Sequence, residues 1–383
     1  MKSLIKKKIC FAASVPTSIN VFWRNQIILC KSLFDITIAS SSKNKSHLKD
    51  LNVRYKNIKI ERKPNIFFDF LLLINFYRYL KNQNFYILHT QTPKAGLIFQ
   101  FTAWIIKVPV RIHTFTGQVW ANKKGISRFF LKLFDKFIFY FSTHIIIDSN
   151  SQKKFLISEN IIHKKKSIVF GNGSISGVNI KKFNTKLDRN YLRKKYGIPK
   201  NDTVILYIGR LNPDKGIIDL VKTFNLLKKD HKNLSLIFVG FEDGIEVSNI
   251  KNNIDDNFKK NFYYFKYSLY PNHFMRLSDI LCVPSYREGF GQVVVEAGAC
   301  GIPSVVSNIY GLKDALIDKK TGLFFKVKNI SDLKKKLKKL IINKSLRLKM
   351  GVNSKKRVNR YFLSKIIDKN QKDFYKKLIN NNL

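Results

Sequence analysis

A chain of 383 residues, 45% of them apolar, is too long for one small core and too hydrophobic for a disordered segment. Its 71 Lys and Arg against 25 Asp and Glu give a formal charge of +46, which favours an anionic partner such as nucleic acid, anionic lipid or a phosphorylated substrate. Part of that excess matches the joint richness in Lys, Asn, Ile and Phe that an AT-rich genome produces, and no aromatic RNA-binding signature accompanies it, so nucleic acid is not the expected partner.

The basic start MKSLIKKKIC imitates a signal peptide. Its apolar stretch is short and runs into SVPTSIN without a cleavage site, so KICFAAS (8–14) reads as a first β-strand. DITIAS (35–40), FYILHT (85–90), VRIHTF (110–115), HIIIDS (144–149) and SIVFGN (167–172) continue the set, with helix-length segments between them. The alternation predicts βαβ units and a parallel sheet covered on both faces. The most apolar helical stretches, 66–80 and 128–147, are broken by Asp69 and Arg78 and by Lys132, Asp135 and Lys136. Neither reaches the roughly 20 apolar residues of a membrane span. The first reads as a core helix, and the second leaves a core helix and a membrane-surface helix both open.

Polar, Lys-rich sequence from about 173 to 201 reads as a connection, after which the pattern restarts. The second set of strands is TVILYIG (203–209), LSLIFVG (234–240), NFYYFKY (261–267), DILCVP (279–284), IPSVVSN (302–308) and GLFFKV (322–327). The last sixty residues read as basic helices, with Ser331 as an N-cap. The expected division is 1–185, 186–360 and a C-terminal helix, 361–383, packing back on the first domain. Tandem α/β domains would leave a cleft, and ligands bind beyond the carboxyl ends of such strands. Cys10, Cys30, Cys282 and Cys300 show no metal-ligand spacing, which fits a reduced, cytosolic compartment.

Chemistry concentrates in two stretches of the second domain. In PSYREGFGQVVVEAGACG (284–301) a strand ends at Pro284, a turn carries Gly289 and Gly291, and a helix runs from about Gln292 until Gly301 stops it. Such a helix start forms an anion site. From Val293 to Cys300 everything is apolar or Gly except Glu296, so its carboxylate is expected buried or in a cleft, where a ribose diol would satisfy it. Glu288, in the turn, would face whatever lies beyond the phosphates, although a dipole-complementing role remains open. In YIGRLNPDKG (207–216), Asn212 and Pro213 read as N-cap and first helical position, and Arg210 and Lys215 put two cations at the positive end of a helix. A diphosphate would turn that placement favourable.

RLNPDKG followed by PSYREGFGQVVVEAGACGIPSVVS resembles the signature of the family 4 retaining glycosyltransferases. The resemblance implies the GT-B fold, two Rossmann-like α/β domains facing each other across a cleft. It implies that Arg210 and Lys215 hold the donor diphosphate, Glu296 the ribose, and Glu288 with Gly289, Phe290 and Gly291 the transferred sugar, with Gly209 and Gln292 also on the donor side. It also implies a nucleotide-sugar donor, UDP before GDP, with no metal or other cofactor, and the absence of an Asp-x-Asp motif agrees. The subgroup most resembled extends polyprenyl-diphosphate-linked glycans for surface polysaccharide at the cytoplasmic face of the bacterial plasma membrane. Catalysis would then rest on Glu288, Arg210 and Lys215. Similarity extends through ILHTQTPKAGL, RIHTFTGQVW and FGNGSISGVN, making Ser14, His89, Lys94, His113, Thr116 and Gly117 candidates for the acceptor side. AASVPTSIN lacks the glycine pair of many relatives, and Thr116 stands where many have a histidine before a glycine. A nucleotide-sugar epimerase of GT-B type and a non-catalytic basic membrane-binding or nucleic-acid-binding protein are the alternatives.

Overall fold

The computed structural model describes residues 6–41, 50–60, 65–183 and 187–380, without the side chains of Thr17 and Val21. The first five residues of the signal-like start therefore lie outside the described residues, as do 184–186 of the expected connection. The chain divides into two units, Met1–Gly177 with Lys365–Leu383, and Val178–Ser364. The crossings lie at 177 and 364 rather than at 185 and 360, because they are stitched to each other: Val178 N–H donates to Phe362 O (2.7 Å) and Ser364 N–H to Val178 O (2.9 Å). Residues 187–201 are more than a connection. Leu192 and Ile198 are buried in the second unit's core, and Arg193 bonds Leu277 O, Pro199 O, Lys200 O, Asp202 O and the Asp279 carboxylate.

The first unit is a seven-stranded sheet, all of whose pairings are parallel: β1 (Lys8–Ala13), β2 (Asp35–Ser40), β3 (Arg54–Asn57), β4 (Ile87–Gln91), β5 (Val110–Phe115), β6 (His144–Ile147) and β7 (Ser167–Ile168), in the order β3-β2-β1-β4-β5-β6-β7. The central strands are unbroken runs of buried residues because helices cover both faces. β3, RYKN, was missed in the sequence because it is a short, charged edge strand with no alternating pattern. Three helices, Ile66–Lys81, Pro93–Ile105 and Gly125–Phe141, lie side by side with the second in the middle.

Helix Ser364–Asn380 belongs to this unit and buries Ile367, Tyr375 and Leu378 against Phe11, Trp23 and Phe34. The Tyr375 hydroxyl accepts from Gln26 Nε2 (2.7 Å) and shares a hydrogen bond with His89 Nδ1 (2.6 Å). Tyr375→Phe leaves two buried polar atoms without that partner, each worth about 1–3 kcal/mol. A fall of about 2–4 kcal/mol in the urea unfolding free energy is expected; an unchanged midpoint would show that the network does not stabilise the unit.

The second unit is a six-stranded sheet, also parallel in every pairing: β8 (Thr203–Ile208), β9 (Leu234–Val239), β10 (Phe262–Phe265), β11 (Ile280–Val283), β12 (Ser304–Ser307) and β13 (Gly322–Phe325), ordered β10-β9-β8-β11-β12-β13. Separate apolar clusters fill its two faces. The Ile330–Ile342 helix is capped by Asn329, whose Oδ1 accepts from Asp332 N–H at 2.8 Å, so Ser331 lies inside the helix. Strand order reverses between β1 and β4 in the first unit and between β8 and β11 in the second. Loops leaving the carboxyl ends of strands diverge there, which opens the crevice where open α/β sheets bind ligands.

Candidate functional site

At the second unit's reversal, the loops after β8 and β11 are fastened together. Tyr286 N–H donates to Asp214 O (2.8 Å), Arg287 Nε to Asp214 Oδ2 (2.7 Å), and the Tyr286 hydroxyl to Asp219 Oδ2 (2.9 Å). Gly216, at φ +63°, lets the first loop touch the second: a Cβ there would stand 2.1 Å from Pro284 O. This close fit brings Lys215 Nζ to 2.5 Å from Glu288 Oε1, which also accepts from Ser285 Oγ at 2.8 Å. Both members of the pair are mostly buried. On the β9 side, Arg210 pairs with Asp243, and Asn212 Nδ2 donates to Asp243 O at 2.9 Å.

Asn212 and Pro213 open a single turn, Pro213–Lys215, rather than the long helix, which starts at Ile217 after Gly216 leaves the right-handed region. The two cations therefore do not lie on the helix itself. Each has a carboxylate partner, so the repulsion expected from an uncompensated helix dipole is already relieved in the protein alone.

The turn Gly289–Gly291 leads into helix Gln292–Ala299, with Gly291 at φ +86° as its N-cap. Gly311, from the loop after β12, fits against this turn: a Cβ there would lie 2.6 Å from Glu288 O and 2.7 Å from Gly289 O. Phe290 is buried in the core beside Phe362, anchoring the turn rather than lining an open surface. One face of the helix, formed by Gln292, Val293, Glu296 and Cys300, is partly exposed, with the Ile180–Phe183 turn packed along it and Cys300 Sγ donating to Phe183 O at 3.1 Å. Glu296 is thus half-buried, not sealed. Burial pushes its carboxyl up to about 7, against the smaller opposing effects of a 3.3 Å bond from Gln292 Nε2 and the charge of Lys182.

The first unit's candidates separate into two groups. Ser14, just after β1, meets Thr92, just after β4: their hydroxyls are 2.8 Å apart, and Ser14 N–H donates to Thr92 Oγ1 at 3.2 Å. Thr92 has φ +76°, a strained setting for a β-branched residue, at the point where strand order reverses. Thr116 and Gly117 are partly exposed just beyond β5.

The histidines lie apart from these positions. His89 is fully buried with both ring nitrogens bonded, Nδ1 to Tyr375 and Nε2 to Thr114 Oγ1 at 2.7 Å. His113 is buried with Nδ1 2.8 Å from Thr90 Oγ1, and its ring fills the space that a Cβ on Gly96 would need. Burial holds His89 well below the usual imidazole range and His113 down to about 3, so both are neutral packing residues rather than groups of an open cleft. Lys94 pairs with Asp69 at 2.5 Å.

Sequence reasoning missed Asp243, Ser285, Gly311, Thr92 and the Asp214 fastening. Ser285 and Thr92 stand inside the stretches singled out, but Asp243 and Gly311 come from loops with no spacing signal. Among the described residues, no cluster of three or more His, Cys, Asp or Glu is placed to hold a metal ion.

The model of the family described as "Glycosyl transferases group 1" matches residues 188–357, which cover the β8 and β11 loops. The capsular polysaccharide biosynthesis glycosyltransferase CapM of Staphylococcus aureus is 32% identical over 366 residues, 94% of each chain. The UDP-Gal:alpha-D-GlcNAc-diphosphoundecaprenol alpha-1,3-galactosyltransferase of Escherichia coli is 27% identical, over 80% of this chain and 79% of its own. Anabaena HepE, solved in complex with UDP and glucose, superposes with a TM-score of 0.80 over 98% of this chain and 100% of its own at 16% identity, a likeness of GT-B fold. On the strength of the full-length identity and the matched site loops together, the chain belongs to the group 1 glycosyl transferases.

Proposed function

We propose that this glycosyltransferase moves a sugar from a nucleotide-sugar, UDP before GDP, to a polyprenyl-diphosphate-linked glycan, with retained configuration, in surface-polysaccharide synthesis at the cytoplasmic face of the bacterial plasma membrane. The observation that carries the reading is the fastened pair of loops at the β8/β11 reversal, which holds Lys215 and Ser285 on the Glu288 carboxylate, with Arg210 on the same loop as Lys215. A leaving nucleoside diphosphate gains negative charge as the glycosidic bond breaks, and preorganised cations stabilise that charge most. Arg210 and Lys215 supply them, and the positive end of the Gln292–Ala299 helix adds to them, whereas the Gly209 N–H is already taken up by Val239 O (3.0 Å). Glu296 on the partly exposed helix face would take the ribose diol, and Glu288 with Gly289 to Gly291 the sugar.

UDP as the carrier is supported by the HepE complex and by the UDP-Gal donor of the Escherichia coli relative, whose acceptor also supports a diphosphate-linked polyprenol here. The cations do the work that a metal does elsewhere, so the reaction should proceed undiminished in EDTA. The test is a grid of UDP-, GDP- and ADP-sugars against polyprenyl-diphosphate glycans in detergent, with products read by mass spectrometry and anomeric configuration by NMR. A product of donor configuration from a UDP-sugar is expected. Turnover of the nucleotide-sugar alone, without any acceptor, would point to an epimerase instead.

A further inference from the structure

Helix Gly125–Phe141 of the first unit is apolar on both faces: Leu131, Ile138 and Phe139 pack into the core, yet large apolar residues also face outward. At about 100° per residue, positions 128, 131, 132, 135, 138 and 139 point inward, and that face carries Arg128, Lys132 and the buried Asp135, whose Oδ2 accepts from Trp120 Nε1 at 2.7 Å. The opposite face exposes Ile126, Phe129, Phe130, Phe134, Phe137 and Tyr140. Ile126 is 77% exposed and Phe129 64%, far beyond the scattered apolar surface of a soluble monomer. Trp104, from the adjoining Pro93–Ile105 helix, extends the strip, with its ring centroid 6.4 Å from that of Tyr140. In the third helix of the layer, Phe67 and Phe70 are exposed in the first turns. All three helices follow the carboxyl ends of parallel strands, so their first turns share the sheet edge where ligands bind.

The charges around the strip decide what covers it. Between Ile66 and Phe141 the acidic residues are Asp69, paired with Lys94, and the buried Asp135. Lys107, Lys123, Lys124 and Lys136 are exposed on the same layer. A second copy of this surface would bring lysines against lysines. A bilayer with anionic headgroups accepts both the aromatic rings and the cations, as interfacial helices do. Among the described residues no helix is long and apolar enough to cross a membrane, so the contact lies in the plane of the surface.

We infer that the outer face of Gly125–Phe141, with Trp104 and the first turns of Ile66–Lys81, docks the enzyme on an anionic bilayer. The inference rests on the proposed lipid-linked acceptor only for its purpose, since vesicle binding is read without turnover. The full chain should float with phosphatidylglycerol vesicles and bind phosphatidylcholine vesicles far less, with the fluorescence of Trp104 shifting to the blue; Trp23 and Trp120 are buried and serve as the background, checked with Trp104→Phe.

Replacing Phe129, Phe130, Phe134 and Phe137 together by Ser should weaken vesicle binding at least about tenfold, while transfer to a short-chain acceptor in detergent is unchanged. A second variant, Lys123→Glu with Lys124→Glu and Lys136→Glu, should remove the preference for anionic lipid and leave the fold intact by circular dichroism. Vesicle binding unaffected by both variants would overturn the docking surface. So would a wild-type dimer in light scattering that the serine variant converts to monomer without any vesicle binding by either.

Discussion

Lys215→Ala is expected to lower kcat/KM for sugar transfer by about 100- to 1,000-fold, the usual loss when one preorganised charge donor to a developing anion is removed. Lys215 Nζ stands 2.5 Å from Glu288 Oε1 with both side chains about one-fifth exposed, so the ammonium is held in place before any donor arrives. Glu288→Ala should cost a comparable factor, because it frees the ammonium and removes the group proposed to meet the sugar. The two changes act on one ion pair. The double variant should therefore lose much less than the product of the single losses, and a double-mutant cycle on kcat/KM measures the shortfall. If the pair only braces the loops, both single variants would unfold earlier yet keep wild-type turnover per folded molecule, and the catalytic assignment would fall. Glu288→Gln separates the cases further, since the amide keeps its size and its bond to Ser285 Oγ but not its charge.

The doubled parallel sheet was legible because buried strands such as VILYI and LIFV are continuous apolar runs that no amphipathic helix produces. Where a strand contributes no core residues, as with RYKN, composition gives no sign of it. The reading of 173–201 as a connection fails for a related reason. Residues 187–201 look like a polar linker, but Leu192 and Ile198 seal the second core while Arg193 satisfies carbonyls that no pattern reveals. The reach of the amphipathic pattern also had a limit in Gly125–Phe141: its period marked a helix, but not which face turns outward. That was decided by Trp120 reaching Asp135 from outside the helix.

At the site, local sequence carried the parts and long-range packing supplied their pairing. Glu288, Gly289 and Gly291 follow a strand end directly, so their place at a turn and helix start was readable. That Lys215 meets Glu288, 73 positions away in the chain, depends on β8 and β11 being neighbours and on Gly216 admitting Pro284 O. His89 shows the reverse case. Its short, motif-like surroundings suggested a cleft, while its partners, Tyr375 and Thr114, come from the terminal helix and a neighbouring strand; His113, bonded to Thr90, is the structural histidine that a strand end usually holds.

Glu296→Gln should stabilise the second unit at pH 8 and impair donor binding in the same variant. Burial lifts the Glu296 carboxyl from an ordinary 4.5 to about 7, so the folded state holds its proton more tightly than the unfolded chain does. For a raised pKa the stabilisation is complete below about pH 4.5 and is lost as pH rises through 7; above that the ionised group is a net cost. Each tenfold change in proton affinity is worth about 1.4 kcal/mol, and solvent screening at the partly exposed side chain reduces the sum to about 1–2 kcal/mol at pH 8. The amide avoids this cost, which corresponds to about 2–4 °C in Tm for each kcal/mol in a unit of this size.

A ribose diol donating to the carboxylate favours the ionised form, so donor binding should draw the group's pKa down. The KM for the nucleotide-sugar in the wild type should then rise as pH falls below 7, and the glutamine variant should have a high, flat KM across that range. A purely structural carboxylate paired with Lys182 would give the opposite on both counts, a less stable glutamine variant and an unchanged KM profile. Measuring Tm and KM on the same preparation from about pH 5.5 to 8.5, a range bracketing the raised carboxyl, therefore decides whether the protein keeps this carboxylate in an apolar helix for its own packing or for a ligand.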